Sequence, residues 1–459
     1  MTTRDDLFGC TVTMSSEGDM TAWNDTQLGF LAHAAATPDH LGKTMASDPG
    51  FALPVICKGL FSLLLARKEL NAVAVEAETK ARQLIEARPV SQREMAFLEA
   101  LADWNRGRPK AAGDRLNQVV LANPHDALAM KLVQAIRFVL GDAVGMRASI
   151  ETVIPHLSPD QRLYGYALGC HAFTLEESGE YAQAERIGRE GVLHSPDDAW
   201  GLHAVAHVYD MTNDTTAGLQ WLNKRTQAWA HCNNFRYHVW WHMALMHLDR
   251  GEIDAVFDLY DQKIRQDKTD DYRDISNAAS LLSRLELDGH KVGDRWEELA
   301  QLSQSRTEDG CLAFADLHYV LSLIGGERKA AVGDLLTRMR KDAATEASDM
   351  DRIMKHPGLS AAEGLEAFGE GNYAQAFQHL AGARRAMQTI GGSHAQRDVF
   401  ERLTIEAALR GGYFDTAEQF LMERTQCRAG KMDRFASSRM DELNRLRSHR
   451  GAPQVIPAE

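Results

Sequence analysis

Apolar residues recur at i, i+3, i+4 and i+7 along nearly the whole chain, and strand-like alternation is scarce. That spacing collects them on one face of a helix. Short breaks separate the amphipathic stretches, so the pattern predicts helical hairpins in series. The break has a recurring form: Gly, a polar residue, often an aromatic, and Ala five residues after the Gly. Gly179 to Ala184 and Gly371 to Ala376 are the clearest copies, followed by those at Gly107, Gly326 and Gly412. Weaker copies begin at Gly141, Asn213, Gly251 and Gly289, and successive copies lie 34 to 45 residues apart.

Each feature has a physical cause. Glycine allows a tight break without a Cβ penalty, and the small Ala lets the second helix lie close on the first. Pro124 and Pro196 each follow that Ala by 12 residues and end the second helix. Together these predict an all-α fold: a tetratricopeptide-repeat-like superhelix, an α-solenoid, of about ten to eleven hairpins. Residues 1–20 are polar and expected to be loosely held. Residues 21–90 read as N-terminal hairpins, 91–426 as the repeat array, and 427–459 as a capping helix (Met432 to Leu446) with a tail from Gly451. The charged stretch Lys341 to His356 coincides with the longest step and reads as a loop or an extra helix.

Charge narrows the partners. The net charge of −13 argues against nucleic acid and against anionic lipid. The six cysteines are scattered, with no C-x-x-C pair, which suits reduced thiols. The start, MTTRDDLFGC, lacks the basic and apolar run of a signal peptide, and no apolar run is long enough to span a bilayer. A cytoplasmic location is the expectation.

Candidate chemistry gathers in Asp197 to Gly251, which holds six of the 18 histidines and five of the eight tryptophans. In a tetratricopeptide unit the first helix lines the concave surface, at positions 2, 5, 9 and 12 when the turn Gly is position 15. Those positions are Tyr166, Gly169, Phe173 and Glu176 before Gly179, and Trp200, His203, His207 and Asp210 before Asn213. Before Gly251 they are His238, Trp241, Leu245 and Leu248. A four-residue insertion would rotate a helix by about 40°, putting His242 in place of Trp241. The expected site is therefore Tyr166, Phe173, Glu176, Trp200, His203, His207, Asp210, His238 and Trp241 or His242. The stripe Leu128, Lys131, Ala135 and Phe138 and the stripe Ser276, Ala279, Ser283 and Glu286 look blander. Asp316 and His318 form a further polar pair.

Aromatic walls with a few polar groups suit a small-ligand pocket, and histidine can donate, accept, charge or ligate a metal. Against this, His at i, i+4 also serves in helix packing, as do Trp221, Trp229 and one of Trp240 and Trp241. Cys170 and His171 are neighbours on a helix and do not face each other. No H-E-x-x-H, phosphate loop or G-x-S-x-G elbow occurs. No metal set is assigned, and no cofactor is named.

The segments Ala172 to Glu185, Asp197 to Met211 and Tyr237 to Asp261, with the WND…FLAH…TPDHL pattern of Trp23 to Leu41, resemble the tetratricopeptide repeat protein 38 family of bacteria and animals. The resemblance implies an all-α repeat fold and brings no established reaction or catalytic set. The leading expectation is binding of a small polar metabolite or short peptide in the His/Trp-lined hollow. One alternative is an enzyme, a metal-dependent hydrolase or isomerase, with His207 or His238 as general base or as a metal ligand beside Glu176. Another is a protein-interaction scaffold, and a homodimer is left open.

Overall fold

Eight of the nine breaks read from the sequence are left-handed turn residues. Gly107, Gly141, Gly179, Asn213, Gly251, Gly289, Gly371 and Gly412 have φ between +53° and +84°. At the ninth the left-handed residue is Glu327, one position after Gly326. In a computed structural model of the chain, residues 3–451 are described, and the tail expected beyond Gly451 lies outside them.

Among the described residues the helices pair into eleven hairpins. Hairpins 1 to 4 are Met20–Leu31 with Thr37–Ser47, Ala52–Leu64 with Lys68–Ala87, Gln92–Asn105 with Pro109–Ala122, and Ala127–Val139 with Ala143–Val153. Hairpins 5 to 8 are Tyr164–Glu177 with Tyr181–His194, Ala199–Met211 with Thr215–Asn223, Phe235–Asp249 with Ile253–Leu259, and Tyr272–Leu287 with Arg295–Gln304. Hairpins 9 to 11 are Ala313–Gly325 with Lys329–Thr345, Leu359–Gly369 with Tyr373–Ala383, and His394–Arg410 with Phe414–Cys427. The first helices of hairpins 5, 6, 8 and 9 are nearly all-round buried, whereas the second helix of hairpin 5 buries one stripe, as expected for an inner and an outer layer.

The chain start corrects the sequence reading. Arg4–Asp5 and Thr11–Val12 pair antiparallel, and Cys10, Val12 and Met14 are buried. Thr13 fastens the segment to hairpin 3: its N–H (2.9 Å) and hydroxyl (2.7 Å) donate to the Glu94 carboxylate. The signal was a period-2 alternation over five residues, too short to stand out among helices.

The superhelix closes on itself after about six hairpins, so its second turn touches its first. The turn of hairpin 1 meets the link into hairpin 7: Asn233 N–H donates to the His33 carbonyl (2.8 Å) and Ala35 N–H to the His231 carbonyl (2.9 Å). Glu69 of hairpin 2 pairs with Arg306 (2.9 Å), and Arg67 with Asp270 (3.3 Å). Gly107 accepts from the N–H of Asp349 (2.9 Å) on the short extra helix Asp349–Ile353, whose carboxylate accepts from Lys110 N–H (3.0 Å). Glu177 of hairpin 5 accepts from His394 N–H (2.7 Å) and pairs with Arg397 (3.2 Å) of hairpin 11. Asp210 of hairpin 6 takes Arg428 (3.0 Å).

The last helix, Arg434–Gly451, caps hairpin 11 with Phe435, Ala436 and Leu443 and also reaches back into the array. Its Arg439 binds Glu406 and the Leu287 carbonyl, and Arg434 N–H donates to Asp249 (2.8 Å). Closure turns the inner groove of the solenoid into a chamber.

A buried histidine cluster beside a central chamber

Helix Ala199–Met211 begins at Asp198, whose carboxylate accepts from the N–H groups of Trp200 (3.2 Å) and Gly201 (3.1 Å). That cap satisfies end donors and fixes the helix start. Trp200, His203 and His207 then share one face. The face is drawn in because Gly201 meets Gly169 of helix Tyr164–Glu177, where a Cβ on Gly201 would lie 2.9 Å from the Gly169 Cα. Phe173 packs between them, its ring 4.6 Å from Trp200 and 5.6 Å from both His203 and His207.

Helix Phe235–Asp249 supplies two more imidazoles, His238 and His242, at i, i+4. Their Nε2 atoms are 3.1 Å apart. One nitrogen each from His203, His207, His238 and His242 lies within 4.8 Å of the other three. All four side chains are buried, and His207 and His242 are fully so. The tautomers are partly set by neighbours. Nδ1 of His203 is 2.7 Å from the Trp200 carbonyl, which only accepts, so the proton sits on Nδ1 and Nε2 keeps its lone pair. Nδ1 of His238 faces the Asn277 side-chain oxygen at 3.1 Å, to the same effect. Nδ1 of His207 is 3.5 Å from the fully buried Glu176 carboxylate.

These surroundings split the four rings. Burial, with the other histidines adding, holds His203 and His242 well below the ordinary imidazole value and brings His238 down to about 3. Burial lowers His207 as well, but the Glu176 carboxylate outweighs it and the net shift is upward. The cluster thus joins three neutral bases to one imidazole biased toward its cation.

On one side the cluster opens to the central chamber, a cavity of about 310 Å³. His203 and His238 form part of its wall. The rest is largely apolar: Phe30, Phe61, Leu64, Phe138, Trp200, Phe235, Tyr272 and Phe314 come from seven different hairpins or their links. Lys131 is the cation that stands out. It is 5% exposed, lies over the Trp200 ring at 5.3 Å, and forms no ion pair among the described residues, although its charge acts on the buried Asp198 carboxylate from further off. Arg273, also at the wall, is already held by Asp271 (2.6 Å and 2.9 Å). His33 Nε2 and Asn277 Nδ2 are wall atoms without a hydrogen-bond partner.

Of the sequence-expected residues, Trp200, His203 and His238 line the chamber, and His207, His242 and Glu176 form the cluster behind them. His242 takes the inward position and Trp241 does not. Trp241 is wholly buried in the core, stacked on His238 at 5.3 Å. Phe173 backs Trp200 and His203 without lining the chamber. Tyr166 is also away from it, its hydroxyl donating to Asp197 (2.9 Å). Asp210 belongs to a separate buried ion network with Arg428. Asp316 binds Arg338 (2.6 Å), and His318 Nδ1 meets the Phe314 carbonyl (2.7 Å). The wall residues that inspection of Asp197 to Gly251 could not supply include His33, Lys131, Phe138, Arg273 and Asn277. A lysine on the otherwise apolar inward stripe Leu128, Lys131, Ala135 and Phe138 was the available signal.

No family model matches the chain. Among solved structures, a human IFIT1 dimer with m7Gppp-AAAA aligns over 86% of this chain and 90% of that one, at 14% identity and a TM-score of 0.39. The TPR domain of P58(IPK) aligns over 79% and 99%, at 12% identity and a TM-score of 0.22. The all-α repeat architecture is read from this chain's own helices and turns. No helix among the described residues is long and apolar enough to cross a membrane.

Proposed function

We propose that this helical-repeat protein binds a small molecule in its central chamber, one with an apolar or aromatic body and a single anionic group. The observation that carries the reading is Lys131: an ammonium with no ion pair among the described residues, set over the Trp200 ring and facing an aromatic hollow of about 310 Å³. The buried Asp198 carboxylate acts on it only from beyond ion-pair distance, and a ligand carboxylate or phosphate in the chamber would give it a direct, charge-assisted contact. The aromatic wall would hold the ligand body, and His33 and Asn277 offer further polar contacts.

This narrows the expected polar metabolite to an amphipathic one. A chamber of this size, closed by contacts between successive superhelical turns, favours a small molecule over an extended peptide or a polynucleotide, as does the charge of −13. On this reading, the resemblance to the tetratricopeptide repeat protein 38 family is concentrated in the helices that build the chamber and cluster.

Thermal shift with a panel of aromatic and medium-chain carboxylates tests the idea. A ligand at 100 times its Kd adds about 2.7 kcal/mol of stability. The stabilisation should fall at least about tenfold in affinity in Lys131→Met, with the ligand-free Tm retained. Equal stabilisation of both proteins would remove the assignment.

A further inference from the structure

We propose that His203, His207, His238 and His242 bind a divalent first-row transition metal ion, with zinc the foremost candidate. The inference does not depend on which molecule occupies the chamber.

Four rings from two consecutive hairpins each present one nitrogen within 4.8 Å of the others, and Nε2 of His238 and of His242 are 3.1 Å apart. A tetrahedral ion about 2.0–2.1 Å from each nitrogen needs those nitrogens roughly 3.4 Å apart. Small rotations of the imidazoles cover the difference. Outer partners are already in place. His203 and His238 use Nδ1 on the Trp200 carbonyl and on Asn277, which leaves Nε2 of each as a lone-pair donor toward the cluster. His207 faces Glu176 through Nδ1, the carboxylate–histidine arrangement that orients and strengthens metal ligands.

The cluster is also unfinished as it stands. Nε2 of His207 and Nδ1 of His242 are buried without a hydrogen-bond partner, and the Glu176 carboxylate is buried with Nδ1 of His207 beside it at 3.5 Å. Buried polar atoms left so are costly. A cation at the centre of the four lone pairs would give Nε2 of His207 a partner and balance the Glu176 charge. An all-imidazole set without thiolate suits zinc, copper, nickel or iron and not calcium or magnesium. Because His203 and His238 also line the chamber, the ion would stand at its wall.

The test uses the full chain, purified without a histidine tag. Elemental analysis should find about one equivalent of a first-row metal, or one equivalent taken up when chelator-treated protein is titrated with Zn²⁺. Cobalt(II) loading should give the visible absorption of a four-coordinate nitrogen site. His238→Gln/His242→Gln should abolish both, while His125→Gln leaves them intact. Wild-type protein that takes up less than about a tenth of an equivalent, or shows no such spectrum, overturns the proposal. So does equal uptake by the double variant. Should that variant fail to fold, the wild-type cobalt spectrum decides alone.

Discussion

His318 is fully buried, and burial brings it down to about 3 although the Phe314 carbonyl holds its Nδ1. The unfolded chain titrates near 6.5 at this residue. Between those values the unfolded state binds a proton that the folded state does not. Stability is therefore lost as pH falls from about 6.5 toward 3, at up to about 1.4 kcal/mol per pH unit from this group. Urea midpoints measured across that window should fall with pH, and His318→Gln should flatten the slope by that amount. Lys131 shows how much of the chamber was legible at this scale. Its helical stripe was readable and its inward position correct, yet one lysine among apolar residues looks like a solvated face until the second superhelical turn covers it.

Helices and turns were more legible than side chains. A left-handed residue every 34 to 45 positions is a local requirement, so Gly and Asn mark it in the sequence. Rotation of a helix about its axis is set by its neighbours. That is why the stripe of Phe235–Asp249 presents His242 where counting from the turn gave Trp241. The N-terminal strand pair was missed because it depends on Glu94, some 80 residues away. The crossing at Gly169 and Gly201 positions the histidine cluster. Gly201→Ala puts a methyl 2.6 Å from the Asp198 carboxylate and 2.9 Å from the Gly169 backbone. Overpacking of this kind costs about 1–3 kcal/mol. Equilibrium unfolding should register that loss, whereas Gly333→Ala, where a Cβ meets nothing, should not.

At the scale of the whole molecule, closure distinguishes this chain from an open solenoid, whose repeats touch only their neighbours. One hub of closure is Asp433. Its carboxylate takes Arg424 (2.6 Å and 3.0 Å), Arg402 (3.4 Å) and Arg428 (3.5 Å), and accepts from Ala436 N–H (2.8 Å). Asp433→Ala leaves three buried guanidinium groups short of an anion, a loss of about 3–5 kcal/mol. Calorimetry should show the lowered transition, and hydrogen exchange should place the weakening at hairpin 6 as well as hairpin 11, since Arg428 ties Asp210 to the same network.

The seam between His33 and Asn233 also sets a timetable for synthesis. Its two sides are 200 residues apart in the chain, so the early hairpins emerge from the ribosome with nothing to close against. At about 5–20 residues per second that interval lasts roughly 10–40 s. Within it Phe30, then Phe61 and Phe138, emerge and face water in the nascent protein, a surface that chaperones would shelter until the second half arrives.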